Sequence, residues 1–234
     1  MMMFAHLSEN PDFAEKINLF VPLAPVASLV HATSGLLTLL DFTHAGYILQ
    51  WLGYHDFLHF MPSEVEFIYL LCDKIPSFCE LTVRLLADKD LSVDNLDRFP
   101  VIFSHMPGGT SMRNMIHFEQ MPLLKEPGFC KYDYGKKGNM QHYNQETVPC
   151  YDLSKIKAKI AWWVGNEDRF CEAEDVAWLK SQLNPDVLVK AETMDKFGHF
   201  TVVWGKNMTW WEDVIATAKE YSAEDENSVK FLSS

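Results

Sequence analysis

Hydrophobic and polar positions near the start of the chain predict a helix followed by a buried strand. Residues 9–17 carry apolar side chains at helical spacing, which is typical of the last turns of a helix. The apolar run that follows, 18–24, is short and bounded by prolines. A run of this kind indicates a buried strand that closes into a loop.

The middle of the chain has a helical pattern and no clear β alternation. Apolar positions repeat at intervals of three and four through 33–60 and 63–88, which predicts helices. Pro62 and Pro76 are expected to interrupt them, because proline has no backbone N–H to donate and clashes with the preceding turn.

A turn and a short helix are predicted after this helical region. Residues 107–111 contain two glycines, and Ser111 is expected to cap a helix that begins at Met112. Residues 126–150 hold three glycines among many aromatic side chains. We therefore expect 126–150 to form a loop.

The last third of the chain returns to an alternation of strands and helices. Buried strands are predicted at 160–164 and 187–191, and helices at 173–183 and 209–221. The polar tail, 222–234, is expected to fray. Together with the N-terminal strand, this layout predicts an α/β fold with three parallel strands of a core sheet.

These patterns divide the chain into three parts. Residues 1–27 are expected to form the end of a core helix and a core strand. Residues 28–150 are expected to form a helical lid, inserted between strands, and 151–234 the C-terminal core strands and helices. An insertion of this kind lies over the carboxyl ends of parallel strands, where such sheets place their sites.

Two of the predicted strands lead to side chains that can take part in catalysis. The strand at 160–164 ends in a turn that contains Asp168, and His199 follows 31 residues later, after the next strand. This is the order of acid and histidine in α/β-hydrolases, where the acid orients the imidazole and the imidazole takes the proton of a serine. Spacing alone leaves a second interpretation open, in which Asp168 is a turn residue and His199 belongs to an unrelated loop.

The composition permits a packed core and narrows the range of partners. Hydrophobic residues make up 48% of the 234 residues and charged residues 22%, which is typical of a globular protein. The net charge of −12 argues against nucleic acid and against attachment to anionic membranes through charge. The negative charge does not argue against binding of neutral lipid at an interface. No apolar run is long enough for a transmembrane segment, and no signal peptide is recognisable.

Other candidate sites are weaker. The chain has no Gly-x-Ser-x-Gly elbow, and Ser111, in the nearest approximation to one, is interpreted as a helix cap. His55 and His59 have the spacing of metal ligands on a predicted helix, but no acidic motif accompanies them and a half-buried aromatic face is favoured. Asn207 begins a triplet that fits a glycosylation acceptor, a pattern that also arises by chance.

The five cysteines leave at least one without a partner in the same chain. Cys72 and Cys79 are near enough in sequence for a local disulfide, with buried helical thiols as the alternative.

Several segments, in a fixed order, resemble the acid lipases, the family of the gastric and lysosomal lipases. Residues 20–27 (Phe-Val-Pro-Leu-Ala-Pro-Val-Ala) are similar to a strand end of that family, and 104–117 contain its Ser-His-x-Pro-x-Gly-Thr-Ser-x-x-Asn-Met-x-His pattern. Residues 165–168 (Gly-Asn-Glu-Asp) match its acid loop, and His199 with the later Trp204-Gly205 matches its histidine loop. Three further motifs lie between these in the family order: Tyr132-Asp133-Tyr134-Gly135, His142-Tyr143-Asn144-Gln145 and Pro149-Cys150-Tyr151-Asp152.

The resemblance implies a fold and a chemistry. It identifies the chain as the C-terminal part of an α/β-hydrolase that cleaves carboxylic esters of neutral lipids, such as acylglycerols or steryl esters, by Ser-His-Asp chemistry. His199 would be the general base and then the acid, and Asp168 would orient it. The implied partner is a neutral lipid ester at an interface, the implied location is secreted or lysosomal, and no cofactor is implied.

The chain also departs from the family. The family's serine elbow lies just before the segment that begins here at Met1, so the chain as given is expected to be inactive and to pair with a missing N-terminal half or another chain. An acid usually follows the histidine by two residues, where this chain has Thr201. Some members have a cysteine near the position of Ser63 that bonds to the position of Cys72. Because this chain has a serine there, the resemblance does not decide whether Cys72 forms a lid disulfide. The alternative function is a non-catalytic pseudoenzyme or assembly subunit with the same fold.

Overall fold

The protein is described here from a computed structural model, which covers residues 1–57, 62–106, 108–124 and 126–222. The predictions for His59, for Pro107 and for the end of the polar tail lie outside these residues.

The chain begins with helix α1, Met2–Glu9, and a 3₁₀ helix, Pro11–Lys16. The helix predicted over 9–17 is therefore a separate 3₁₀ segment. It starts anew at Pro11 because Asn10 has an extended φ of −129° and because proline favours the first turn of a helix.

The predicted strand at 18–24 is present as two parallel bridges. Phe20 pairs with Ile160 and Leu23 with Trp163, and the N–H of Ala24 donates to the Trp163 carbonyl at 2.8 Å. Pro22 lies between the two bridges and has no N–H to donate, so the ladder is interrupted there.

The middle of the chain is largely helical, as predicted. It contains the following elements: α2 Gly35–Thr43, α3 Ala45–Trp51, β1 Asp56–Phe57, α4 Pro62–Lys74, α5 Pro76–Leu86, a 3₁₀ helix Leu96–Arg98, α6 Phe99–Phe103, β2 Thr110–Ser111, α7 Met112–Gln120 and α8 Gly135–Tyr143. Pro62 and Pro76 stand at the first positions of α4 and α5, where the missing N–H costs nothing. His44, in the left-handed region at φ 49°, divides α2 from α3.

Two predictions for this region are wrong. His55 is exposed and lies just before β1, where its carbonyl accepts from the Met112 N–H, so it is neither helical nor part of a half-buried face. Residues 126–150 are not a loop throughout, since they contain α8. This helix is stabilised by the side chain of Asn139, whose oxygen accepts from the Tyr134 N–H and whose amide donates to Asp133.

Two disulfides close loops in the middle region. One joins Cys72 to Cys79, across the break between α4 and α5, and the other joins Cys130 to Cys150, around α8. Cys171 is a buried free thiol.

The C-terminal part follows the predicted alternation. It consists of β3 Ile160–Gly165, α9 Ala173–Gln182, β4 Leu188–Met194, α10 Thr201–Trp204 and α11 Trp211–Ser222. β3 and β4 are parallel, and the N-terminal run pairs with β3, also in parallel. Parallel pairing brings the carboxyl ends of these segments to one edge of the sheet.

The core is packed on both faces of β3, all six residues of which are buried. Trp162 lies in a cluster with Phe4, Leu7 and Leu179, whereas Trp163 packs with Val214 on the opposite face. Successive residues of a strand point to opposite faces, so burial on both sides holds β3 in a single register. The turn that follows β3 is thereby held in a fixed position.

Candidate active site

The acid loop, residues 166–169, follows β3 and buries the carboxylate of Asp168. Oδ1 accepts the backbone N–H of Phe170 at 2.7 Å and that of Cys171 at 2.8 Å. These two bonds fix the side-chain rotamer and leave Oδ2 available for another donor.

The histidine loop, residues 197–200, follows β4 and lies directly against the acid loop. The Glu167 N–H donates to the Phe197 carbonyl at 2.9 Å. A Cβ on Gly165 would overlap the same carbonyl, so this approach requires glycine at the end of β3.

Asp168 and His199 are within hydrogen-bond reach, as expected from their positions after successive strands. Oδ2 of Asp168 lies 2.8 Å from Nδ1 of His199. The aspartate side chain is fully buried, whereas a quarter of the imidazole remains exposed. An imidazole held in this way through Nδ1 presents Nε2 to a reactant, which is the arrangement a general base needs.

The environment favours the charged form of this imidazole. Burial lowers the pKa of His199, but the hydrogen bond and charge of Asp168, together with the charge of Asp88, outweigh it and raise the pKa above the ordinary value.

A cavity of about 520 Å³ opens beside His199. It is lined by residues 1–4 at the start of α1, by residues 22–26, and by the aromatic rings of Phe118, Phe170 and Phe200. The helical middle of the chain is expected to lie over the carboxyl ends of these strands. Among the described residues, Phe118 in α7 is the one contribution of that region, and the core segments supply the rest.

The remaining candidates are not part of this site. Ser111 caps α7, with its Oγ accepting the Asn114 N–H at 3.1 Å, as predicted. Asn207 is exposed. In the part of the chain that the structure describes, no group of three or more histidine, cysteine, aspartate or glutamate residues is arranged to hold a metal ion. None of the described helices has the length and apolarity needed to cross a membrane.

Sequence reasoning missed two features. Asp88, from the helical region, is fully buried against the histidine loop, where both of its carboxylate oxygens accept the Phe200 N–H. A second aspartate–histidine pair, His31 with Asp175, has an Nδ1–Oδ1 distance of 3.0 Å. Both are contacts between residues far apart in sequence, and no local sequence pattern indicates them.

Comparison with known proteins finds lipases. No family model matches the sequence. The chain is 30% identical over 217 residues to lipase lipl-1 of Caenorhabditis elegans. The aligned region covers 88% of this chain and 52% of that protein. It is 28% identical to human lysosomal acid lipase/cholesteryl ester hydrolase, covering 93% of this chain and 55% of that protein. It is 31% identical to rat gastric triacylglycerol lipase, covering 86% and 50% respectively.

The chain spans about half the length of these relatives. An acetylester hydrolase from Corynebacterium glutamicum is similar in structure, with a TM-score of 0.47 and 13% identity over 94% of this chain and 58% of that one.

The fold assignment depends on the arrangement itself. Parallel strands around β3, a helical insertion after the first of them, and an acid and a histidine after the next two define the α/β-hydrolase fold, as predicted. Within that class, the resemblance to the acid lipase family is confirmed along most of the chain.

Proposed function

We propose that this chain supplies the acid and the base of a Ser-His-Asp ester hydrolase that acts on neutral lipids. Asp168 orients His199, and His199 takes the proton of a serine during attack on the ester carbonyl. It then returns a proton to the departing alcohol. The observation that carries the proposal is the Asp168–His199 hydrogen bond of 2.8 Å at the mouth of an apolar cavity.

The position of α1 supports a nucleophile from outside the printed sequence. The first residues of α1 line the same cavity as His199. In α/β-hydrolases the serine stands on a sharp turn between a strand and a helix. A serine on a turn leading into α1 would therefore lie beside the imidazole.

The surface of the protein supports a neutral, apolar substrate. The cavity beside His199 is lined mainly by apolar side chains, and the net charge of −12 disfavours anionic ligands. In the helical region, Phe42 is 86% exposed, Trp51 84% and Phe67 64%. These side chains add apolar surface to the helical region, and apolar surface that is contiguous marks sites that meet lipid or another protein. The names of two relatives, a cholesteryl ester hydrolase and a triacylglycerol lipase, indicate the substrate class.

The disulfides support the proposed secreted or lysosomal location. Disulfides persist in oxidising compartments and are rare in the cytosol, and this chain has two.

The test compares the 234-residue chain with a version extended upstream through the codons that precede Met1 in its gene. Both are treated with a fluorophosphonate probe and assayed with a short-chain nitrophenyl ester, then with emulsified triacylglycerol and cholesteryl ester. We expect the extended protein to be labelled on a serine and to cleave the esters. The short chain should do neither, because it has neither the serine nor the oxyanion donor next to it.

His199→Ala in the extended protein should abolish turnover, and His31→Ala is the matched control that should leave it unchanged. If the extended protein is neither labelled nor active, the proposal is wrong and a non-catalytic protein is supported. If the short chain is labelled and loses activity on His199→Ala, the nucleophile lies within the 234 residues. Ser111 would then be the first residue to replace.

A further inference from the structure

Asp88 is fully buried between the acid loop and the histidine loop. Its neighbours in sequence are hydrogen-bonded to the acid loop on both sides: the Lys89 N–H donates to the Glu167 carbonyl at 2.8 Å, and the Arg169 N–H donates to the Ala87 carbonyl at 2.8 Å. The backbone around Asp88 is therefore fixed relative to the turn that carries the acid of the site.

The side chain of Asp88 contacts the histidine loop on both sides of His199. The Phe200 N–H donates to the carboxyl group, at 3.1 Å from Oδ1 and 3.3 Å from Oδ2. On the other side, the Gly198 backbone lies so close to Asp88 that a Cβ at position 198 would overlap the carboxyl carbon. A buried backbone N–H needs an acceptor, and Asp88 provides it at the residue after the imidazole.

We propose that Asp88 is a positioning residue for His199. It joins the histidine loop to the acid loop and so keeps Nδ1 of the imidazole at Oδ2 of Asp168. Its importance for catalysis rests on the proposed function, whereas the contact itself does not.

The charges around Asp88 give this role a measurable signature. Burial raises the pKa of Asp88 to about 7; the Phe200 N–H and the charge of His199 lower it, and the charges of Asp94 and Asp168 raise it. The charge of Asp88 in turn raises the pKa of His199. Because each charge acts on the other group, each should report the protonation of the other.

The test is NMR spectroscopy of the 234-residue chain labelled with ¹³C and ¹⁵N, in the wild type, Asp88→Asn and Asp88→Ala. The readouts are the His199 Nδ1–H proton, which is shifted downfield by its hydrogen bond to Asp168, and the pH titration of His199 Cε1. We expect Asp88→Asn to keep the Nδ1–H signal, because the amide oxygen still accepts from Phe200. Asp88→Ala should lose the signal or broaden it beyond detection through exchange with solvent.

Asp175→Asn is the matched control, since it removes the same charge from the other aspartate–histidine pair. It should change the signals of His31 and leave those of His199 as they are. Circular dichroism and thermal midpoints establish that each variant is folded before its spectra are compared.

Two results would overturn the proposal. One is a folded Asp88→Ala variant with a wild-type Nδ1–H signal and titration. The other is loss of the signal in Asp88→Asn to the same extent as in Asp88→Ala, which would assign the effect to charge and not to the contact.

A measurement on the wild type covers the case in which Asp88→Ala does not fold. The Phe200 amide and His199 Cε1 should both shift in step with the titration of the Asp88 carboxyl carbon. If neither follows it, Asp88 does not position the loop. None of these readouts needs a nucleophile or a substrate, so they separate a failure of the positioning role from a failure of the proposed esterase activity.

Discussion

His199 and His31 each direct Nδ1 at the carboxylate of a buried aspartate, 2.8 Å from Asp168 Oδ2 and 3.0 Å from Asp175 Oδ1. The surroundings of the two carboxylates differ. Oδ1 of Asp168 is occupied by two backbone N–H groups, so that Oδ2 serves the imidazole. Oδ1 of Asp175 is shared between the His31 ring and the hydroxyl of Ser28, which donates at 2.7 Å.

The second oxygen of Asp175 accepts the backbone N–H of His31 at 3.0 Å. The Asp175 carboxylate therefore binds the backbone, ring and neighbouring hydroxyl of one loop and fastens that loop to the first turn of α9. His199, by contrast, faces a cavity of about 520 Å³. The comparison teaches that a short aspartate–imidazole distance does not define a site. The His199 pair is distinguished by a carboxylate oxygen that is left to the ring and by the apolar cavity that the ring lines. The His31 ring is more exposed but does not line that cavity.

The largest expected difference between the pairs is in catalysis. In the upstream-extended protein, Asp168→Asn should lower kcat by roughly 10⁴-fold with little change in KM, because an amide cannot hold the imidazole in the required tautomer. Asp175→Asn, the same substitution in the other pair, should leave kcat within about twofold, because Asp175 binds Ser28 and His31 and does not line the cavity beside His199. The measurement is steady-state hydrolysis of a nitrophenyl ester.

Equal losses of kcat in the two variants would mean that the comparison has identified the wrong pair or that both act through stability. Urea denaturation of both variants separates these outcomes, since a loss through stability appears there as a lower midpoint.

Much of the sheet and both members of the His199 pair were predictable from sequence. β3 is a continuous apolar run, and parallel strands bring their carboxyl ends together, so Asp168 and His199 could be expected to meet. The strand at 18–24 is weaker than predicted because Pro22 interrupts its ladder. Helix α8 was missed because its stabilising contacts come from the side chain of Asn139 and not from an apolar face.

Contacts made by tertiary packing were not predictable. Asp88 reaches the histidine loop across 112 residues, and His31 is 144 residues from Asp175. The acid that the family usually has two residues after the histidine is replaced by Thr201, which is fully buried and accepts the Gly198 N–H through its hydroxyl. Asp88, from a different part of the chain, places a carboxyl group against this loop.

The pH dependence of stability tests the buried acid beside His199. The pKa of Asp88 is raised from 3.8 to about 7, so the folded state holds a proton that the unfolded state releases. Its contribution to the free energy of unfolding is fully present below pH 4 and is lost as the pH rises through 7. Asp88→Asn does not titrate. The free energy of unfolding of the variant should therefore rise relative to that of the wild type between pH 4 and 8, by up to about 4 kcal/mol.

Urea denaturation at pH 4, 5.5 and 7.5 measures this gain. Asp175→Asn is the control from the other pair. A difference between Asp88→Asn and wild type that stays constant with pH would contradict the prediction.

The close packing of the histidine loop predicts a smaller effect on stability. Gly198→Ala should lower the free energy of unfolding by about 2 kcal/mol, because a Cβ at this position would overlap Asp88 and the buried backbone cannot move freely. Gly108→Ala is the matched control: a Cβ there meets nothing within 4 Å, and we expect a change below about 0.5 kcal/mol. Thermal and urea denaturation measure both. Equal changes in the free energy of unfolding at the two positions would contradict this prediction and show that the histidine loop shifts to accommodate the added Cβ.

The smallest expected effect concerns the His31 pair. Ser28→Ala removes a buried hydroxyl that donates to Asp175 at 2.7 Å, while the carboxylate keeps both of its bonds to His31. The cost should be about 1.5 kcal/mol, the usual value for a hydrogen bond to a charged group. Ser181→Ala, at an exposed position on α9, is the control and should change stability by less than about 0.5 kcal/mol. The titration of His199 and the kcat of the extended protein should not respond to either change. If Ser28→Ala lowered kcat with unchanged stability, Ser28, His31 and Asp175 would have to be considered a second functional cluster.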